Sequence, residues 1–179
     1  KSLKPVGVYD IDYSYAKGRI AAYDGWREKL LDEMELSKRC GNPRYEECVR
    51  TDQAFNGVDL DSGNSGRKLG PLNSEANEKL LLHGTNPTVA ELIVKGNFSR
   101  GFASLQAYGP GIYMAEDPSK NDQYGISYHT TYGRPGAGIP YKTPTPEERA
   151  AADVLAIRLG LSTKTPTFYI IVARTLLGC

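Results

Sequence analysis

The sequence predicts an α+β domain, and three observations carry that expectation. Val6 to Tyr15 alternates, with Tyr9, Ile11, Tyr13 and Tyr15 on one face and Asp10, Asp12 and Ser14 on the other, which is the period of a half-buried strand. From Arg19 to Lys38 the apolar positions Ile20, Tyr23, Leu30, Leu31 and Met34 recur at helical spacing. Two apolar runs, one leading into His83 and one over Thr167 to Leu176, read as strands, the first of them buried. A chain of 179 residues is long enough to bury one core and too short for two good ones, so residues 1–179 are expected to form a single domain.

The opening strand leads into an amphipathic helix that Gly41-Asn42-Pro43 stops, with Trp26 expected to pack. Residues 56–76 are rich in Gly, Ser and Asn with little periodicity and read as a flexible surface insertion. Beyond the His83 strand, Asn86 is placed to cap a short helix with Pro87 in its first turn, and Gly96 to close it. Asp117-Pro118 repeats that start signal after the Tyr113 strand, which puts Tyr124 on or just past a second helix. Ser127 to Pro144 carries many Gly, Pro, Thr and Tyr and reads as loop, with His129 solvated in it. Thr145-Pro146-Glu147-Glu148 then opens a helix to about Leu159, stopped by Gly160, with its acidic residues at the positive end.

Composition excludes several functions. The formal charge is +1 and no block of like charge stands out, so nucleic acid is not an implied partner. The longest uninterrupted apolar stretch, Phe168 to Ala173, falls far short of the roughly twenty residues that span a bilayer. Cys40, Cys48 and Cys179 form neither an even disulfide set nor a zinc spacing, and no metal site is expected. Free thiols in an intracellular compartment, cytoplasm or nucleus, are the favoured reading. In a secreted protein Cys40 and Cys48 could pair, and Asn97-Phe98-Ser99 would be a glycosylation acceptor. Lys1 heads the chain without a methionine or a leader, so a processed form or a piece of something longer is expected.

The chemistry concentrates in two motifs. Asn77-Glu78-Lys79-Leu80-Leu81-Leu82-His83-Gly84-Thr85 delivers an imidazole, an amide and a hydroxyl at the open end of an apolar strand. Tyr108-Gly109-Pro110-Gly111-Ile112-Tyr113-Met114-Ala115 does the same with a phenol. A lone histidine at the end of an apolar strand is more often a satisfied core residue than a functional one. The two motifs in order, with Tyr124 beyond them, favour a ligand site. Gly109-Pro110-Gly111 lacks the third glycine and the following helix of a dinucleotide fingerprint, which disfavours a Rossmann dehydrogenase.

Together these residues resemble the poly(ADP-ribose) polymerase branch of the ADP-ribosyltransferases, of diphtheria-toxin-like type, with its His-Gly-(Ser/Thr) and Tyr-Gly-x-Gly-(Ile/Val)-Tyr-x-Ala motifs. The resemblance implies two packed, mainly antiparallel sheets with peripheral helices and a central NAD cleft. It also implies transfer of ADP-ribose from NAD, which is a substrate, to a protein acceptor. His83 would bind a ribose hydroxyl of the adenosine part, as a positioner and not a general base. Gly84 would bind the nicotinamide carboxamide through its backbone, and Thr85 would add a hydroxyl contact. Tyr113 and Tyr124 would wall the nicotinamide slot. Asn97 to Tyr108 matches the loop over bound NAD, with Arg100 placed to reach the pyrophosphate and Tyr108 at the site. Asn121 stands where the best-known members carry a serine that bonds the carboxamide, and an amide can make the same bond.

Residues 127–165 have no counterpart in the family. The family's third signature position, a glutamate in chain-forming members, lies on a strand after Leu-Leu-Gly, and no residue up to Cys179 matches it. Members lacking that glutamate transfer single ADP-ribose units or are inactive. A single unit is therefore the expected product, and a catalytically silent NAD- or ADP-ribose-binding or protein-interaction module is the alternative.

Overall fold

A computed structural model describes residues 7, 9, 17–39, 72–99, 101, 109–116, 120–121, 124–130, 132–134 and 139–177. Their fold is α+β, built from helices α1 (Lys17–Arg39), α2 (Pro87–Gly96) and α3 (Pro146–Arg158) and strands β1 (Glu78–Thr85), β2 (Tyr132–Arg134), β3 (Ile139–Lys142) and β4 (Tyr169–Leu176). Strands β1 and β4 are neighbours in one two-stranded sheet and β2 and β3 in another. No described helix is long and apolar enough to cross a membrane. Two compact units divide the chain, residues 1–81 with 174–179 and residues 82–173.

In the first unit α1 matches the helical periodicity. Met34 is buried and Tyr23, Leu30 and Leu31 are half-buried. Trp26 departs from its expected packing role, because it is 65% exposed. At about 100° per residue it sits about 60° around the helix from Tyr23, on the flank of the apolar stripe, and Lys29 covers its ring at 5.1 Å. The strongest tie in this unit is polar. Glu78, at the start of β1, is buried and accepts from the Tyr23 hydroxyl at 2.6 Å and from the Asn73 backbone N–H at 2.7 Å. Arg174 on β4 places its Nε 3.4 Å from the same carboxylate. A buried carboxylate is tolerated only with such partners. Burial first, then the bond to Glu78, pushes the Tyr23 phenol well above its ordinary pKa, so it remains a donor through the physiological range. The strand expected over Val6 to Tyr15 lies outside the described residues except for Gly7 and Tyr9, and neither of these is in a strand. The insertion at residues 56–76 and all three cysteines also lie outside, save for residues 72–76.

In the second unit both helix starts follow the sequence signals. Asn86 caps α2 by accepting from Val89 N–H at 2.9 Å, with Pro87 in the first turn. The stop falls at Gly96, as the sequence predicts. Gly96 ends the helix, and it is Asn97, at φ 72° and ψ 172°, that turns the chain out of it. Thr145 and Glu148 form a reciprocal capping box at the start of α3, and Gly160, at φ 67°, follows its end. Ala152, Leu155 and Ala156 give α3 its buried stripe, and Glu91 of α2 binds Arg158 of α3 at 2.7 Å.

Two expectations for residues 127–144 are corrected. The stretch is not all loop, since β2 and β3 pair antiparallel within it, Tyr132 opposite Lys142 and Arg134 opposite Ile139. Short strands with a β-branched or aromatic residue among Gly and Pro lack the length that makes a periodic signal. His129 is not solvated either. Its side chain is only 11% exposed, and Nε2 lies 3.1 Å from Asp153 Oδ1 on α3. A partner 24 residues away in sequence leaves no local signal at the histidine.

Candidate functional site

The second unit contains every expected site residue that the structure describes, and backbone and side-chain hydrogen bonds tie His83 to Tyr113, Gly84 to Asn121 and Asn121 to Tyr124. Leu82 and Ala115 form an isolated antiparallel bridge, with Leu82 N–H donating to Ala115 O at 2.8 Å and Ala115 N–H to Leu82 O at 2.9 Å. That bridge sets the end of β1 beside the segment carrying Tyr113.

His83 places Nδ1 2.8 Å from the Tyr113 carbonyl oxygen. A carbonyl can only accept, so Nδ1 carries a proton, which in the neutral form of the ring leaves Nε2 as an acceptor. Its ring is held from another side by Phe98, edge to face at 5.2 Å between centroids. The Phe98 contact had no signal of its own in the sequence. It follows from the Asn97 turn, which brings Phe98 back after α2. The Tyr113 hydroxyl donates to Gly109 O at 2.7 Å, closing the Gly-Pro-Gly turn, in which Gly109 has φ 89°, a conformation that glycine adopts without steric cost.

Gly84 and Asn121 make the closest pairing in the site. Gly84 N–H donates to Asn121 Oδ1 at 2.7 Å in a buried bond, and Asn121 is 4% exposed. The backbones also meet. A Cβ at position 84 would stand 2.4 Å from the Asn121 carbonyl oxygen, so only glycine fits there. That carbonyl in turn accepts from Tyr124 N–H at 2.9 Å and Gly125 N–H at 3.1 Å, which fixes Asn121 and the turn that follows it. Asn121 is helical and Tyr124 lies in a turn three residues on, while Asp117 and Pro118 lie outside the described residues. Tyr124 is 53% exposed, with Lys120 Nζ 5.7 Å from its ring centre on one face. Thr85 is buried at the end of β1.

The assembled groups are an imidazole acceptor, a buried backbone donor in contact with a side-chain amide, and two tyrosines of which one is exposed. Such groups can hold the flat carboxamide end of a ligand. Among the described residues no cluster of His, Cys, Asp and Glu could hold a metal ion. Arg100 and Tyr108 lie outside the described residues. Beyond the expected set, the bend Ser127-Tyr128-His129 was missed. Ser127 is fully buried, Tyr128 is buried at φ 61°, and His129 is paired with Asp153. A left-handed tyrosine is a property of backbone geometry, which no sequence pattern carries.

No family model, curated protein or solved structure matches the chain.

Proposed function

We propose that this chain is an NAD-dependent ADP-ribosyltransferase of the poly(ADP-ribose) polymerase-like type, which cleaves the nicotinamide-ribose bond and transfers one ADP-ribose unit to a protein acceptor inside the cell. The proposal includes the family's architecture of two packed, mainly antiparallel sheets around an NAD cleft. The observation that carries it is the bond from Gly84 N–H to a buried carboxamide oxygen, 2.7 Å long, next to a histidine locked by Tyr113 O at 2.8 Å. A donor that already receives one carboxamide is chemically matched to another, that of nicotinamide.

In the reaction the bonding pair leaves with nicotinamide as the ribose gains oxocarbenium character, the electronic problem that glycosidases also solve. The acceptor nucleophile then bonds the anomeric carbon and its proton passes to solvent. The residues contribute orientation, which can lower such a barrier by several kcal/mol. Gly84 holds the carboxamide, Tyr113 and Tyr124 supply stacking faces, and His83 Nε2 accepts from a ribose hydroxyl. Thr85, Arg100 and Tyr108 complete the proposed NAD contacts.

The second reading is a catalytically silent NAD- or ADP-ribose-binding or protein-interaction module of the same fold, which would use the same groups for binding alone. Incubating the chain with NAD and a protein mixture, while following intact masses and free nicotinamide together, separates the two. Nicotinamide release with a single ADP-ribose mass on a protein is the expected result. NAD binding without release would give the silent module, and no NAD binding would overturn both. Tyr113→Ala should weaken NAD binding by about 1–3 kcal/mol through lost stacking and burial, and an unchanged affinity in a folded variant would remove Tyr113 from the pocket.

A further inference from the structure

We infer that Asn121 determines what the carboxamide slot admits, by filling it with its own side-chain amide until a ligand amide displaces it. The inference rests on the proposed role of Gly84 as carboxamide donor and adds a competitor at that donor. Three observations bear on it. The Gly84 N–H has one short, buried bond, to Asn121 Oδ1 at 2.7 Å. The chemistry of that acceptor is the chemistry of the ligand, since an asparagine side chain and nicotinamide both end in a primary carboxamide. The competitor cannot drift away with its backbone, which is fixed by Tyr124 N–H and Gly125 N–H on its carbonyl and by its close approach to Gly84.

The consequence is an exchange in place of a simple capture. In an unoccupied slot the donor would be an unpaired buried N–H, and a ligand oxygen would recover the whole cost of leaving it unpaired. Here that cost is already met within the chain. A ligand gains only the difference between its own bond and that of Asn121, and the displaced amide must find new partners. Ligands that bring only a weak acceptor are excluded, while a ring-borne carboxamide backed by stacking on tyrosine can prevail. This reverses the simplest reading of position 121, in which the side chain adds a bond to the bound ligand.

The two roles predict opposite outcomes for the same variants. Nicotinamide, an uncharged probe, and NAD would be titrated into the wild-type chain, Asn121→Ala and the nearly isosteric Asn121→Asp, each first shown to be folded by its melting transition. If Asn121 competes, Asn121→Ala binds nicotinamide about tenfold more tightly. Asn121→Asp, whose carboxylate is the stronger acceptor for Gly84 N–H, binds it several-fold more weakly than wild type. Weaker or unchanged binding by Asn121→Ala, with NAD still bound by the wild type, overturns the competition and leaves the proposed function standing. NAD bound by none of the three proteins overturns that function and the competition with it. Should Asn121→Ala fail to fold, Asn121→Asp decides alone: nicotinamide affinity equal to or above wild type overturns the inference.

Discussion

Two buried polar clusters in this molecule are built to opposite ends. Around Glu78 a carboxylate is met by Tyr23, by the Asn73 N–H and by Arg174, a charged group enclosed by groups from α1, the preceding turn and β4. Around Gly84 the pairing is neutral, backbone N–H to side-chain amide, and the neighbouring His83 keeps Nε2 as an acceptor once Nδ1 is committed to Tyr113 O. A buried charge is expensive to separate from its partners, so the first cluster suits permanence. A neutral amide pair can be exchanged for another at small net cost, so the second suits a ligand. On the proposed function the first cluster is structure and the second a site, and the exchangeability of the groups, beyond burial and satisfaction, is what sets them apart.

The largest expected effect breaks the first cluster. Glu78→Ala removes the acceptor for two donors and leaves Arg174 without its carboxylate, and should cost about 3 kcal/mol, read as a lower urea midpoint at unchanged slope. NAD affinity of the protein that remains folded should be preserved; if it fell in step with stability, the contrast between the clusters would collapse. Next comes Gly84→Ala. Its Cβ would meet the Asn121 carbonyl oxygen at 2.4 Å, and overpacking of this kind costs about 1–3 kcal/mol. Here NAD binding should be lost well beyond what the stability change explains, and retained binding would show that the close approach has nothing to do with a ligand.

The smallest effect lies at Glu91, where a half-buried analogue of the Glu78 cluster can be compared. The side-chain bond to Lys95 first, then that to Arg158, holds the Glu91 carboxyl below its ordinary range. A lowered folded value means that the contribution is present above the ordinary carboxylate range and is lost as pH falls through the lowered value. Solvent screening limits it to about 0.5 kcal/mol. The melting temperatures of wild type and Glu91→Gln should therefore differ slightly at neutral pH and converge as the pH falls below about 4. A gap that widened on acidification would contradict the assignment.

Legibility from sequence followed the range of the interactions. The starts of α2 and α3 were readable because Asn86 and Thr145 bond within three residues of themselves. Lys17–Arg39 and Tyr169–Leu176 were readable from pattern, which reports a face directly. The pairing of His83 with Tyr113, 30 residues apart, and of Gly84 with Asn121, 37 apart, had no local signature. Those residues were found only through motif resemblance, and their bonds only through the structure. What was missed has the same cause. Trp26 lies on the edge of its stripe, His129 meets a partner on a later helix, and β2 and β3 are too short to show a period.

The contact between Gly84 and Asn121 also bears on how this slot can change over generations. A Cβ at position 84 would meet the Asn121 backbone, so substitution there costs stability before it can alter the site. Asparagine codons, by contrast, lie a single base from those of serine and of aspartate. On the proposed function, heritable variation in what the slot accepts is thereby channelled to position 121, where a short step reaches both a hydroxyl and a carboxylate.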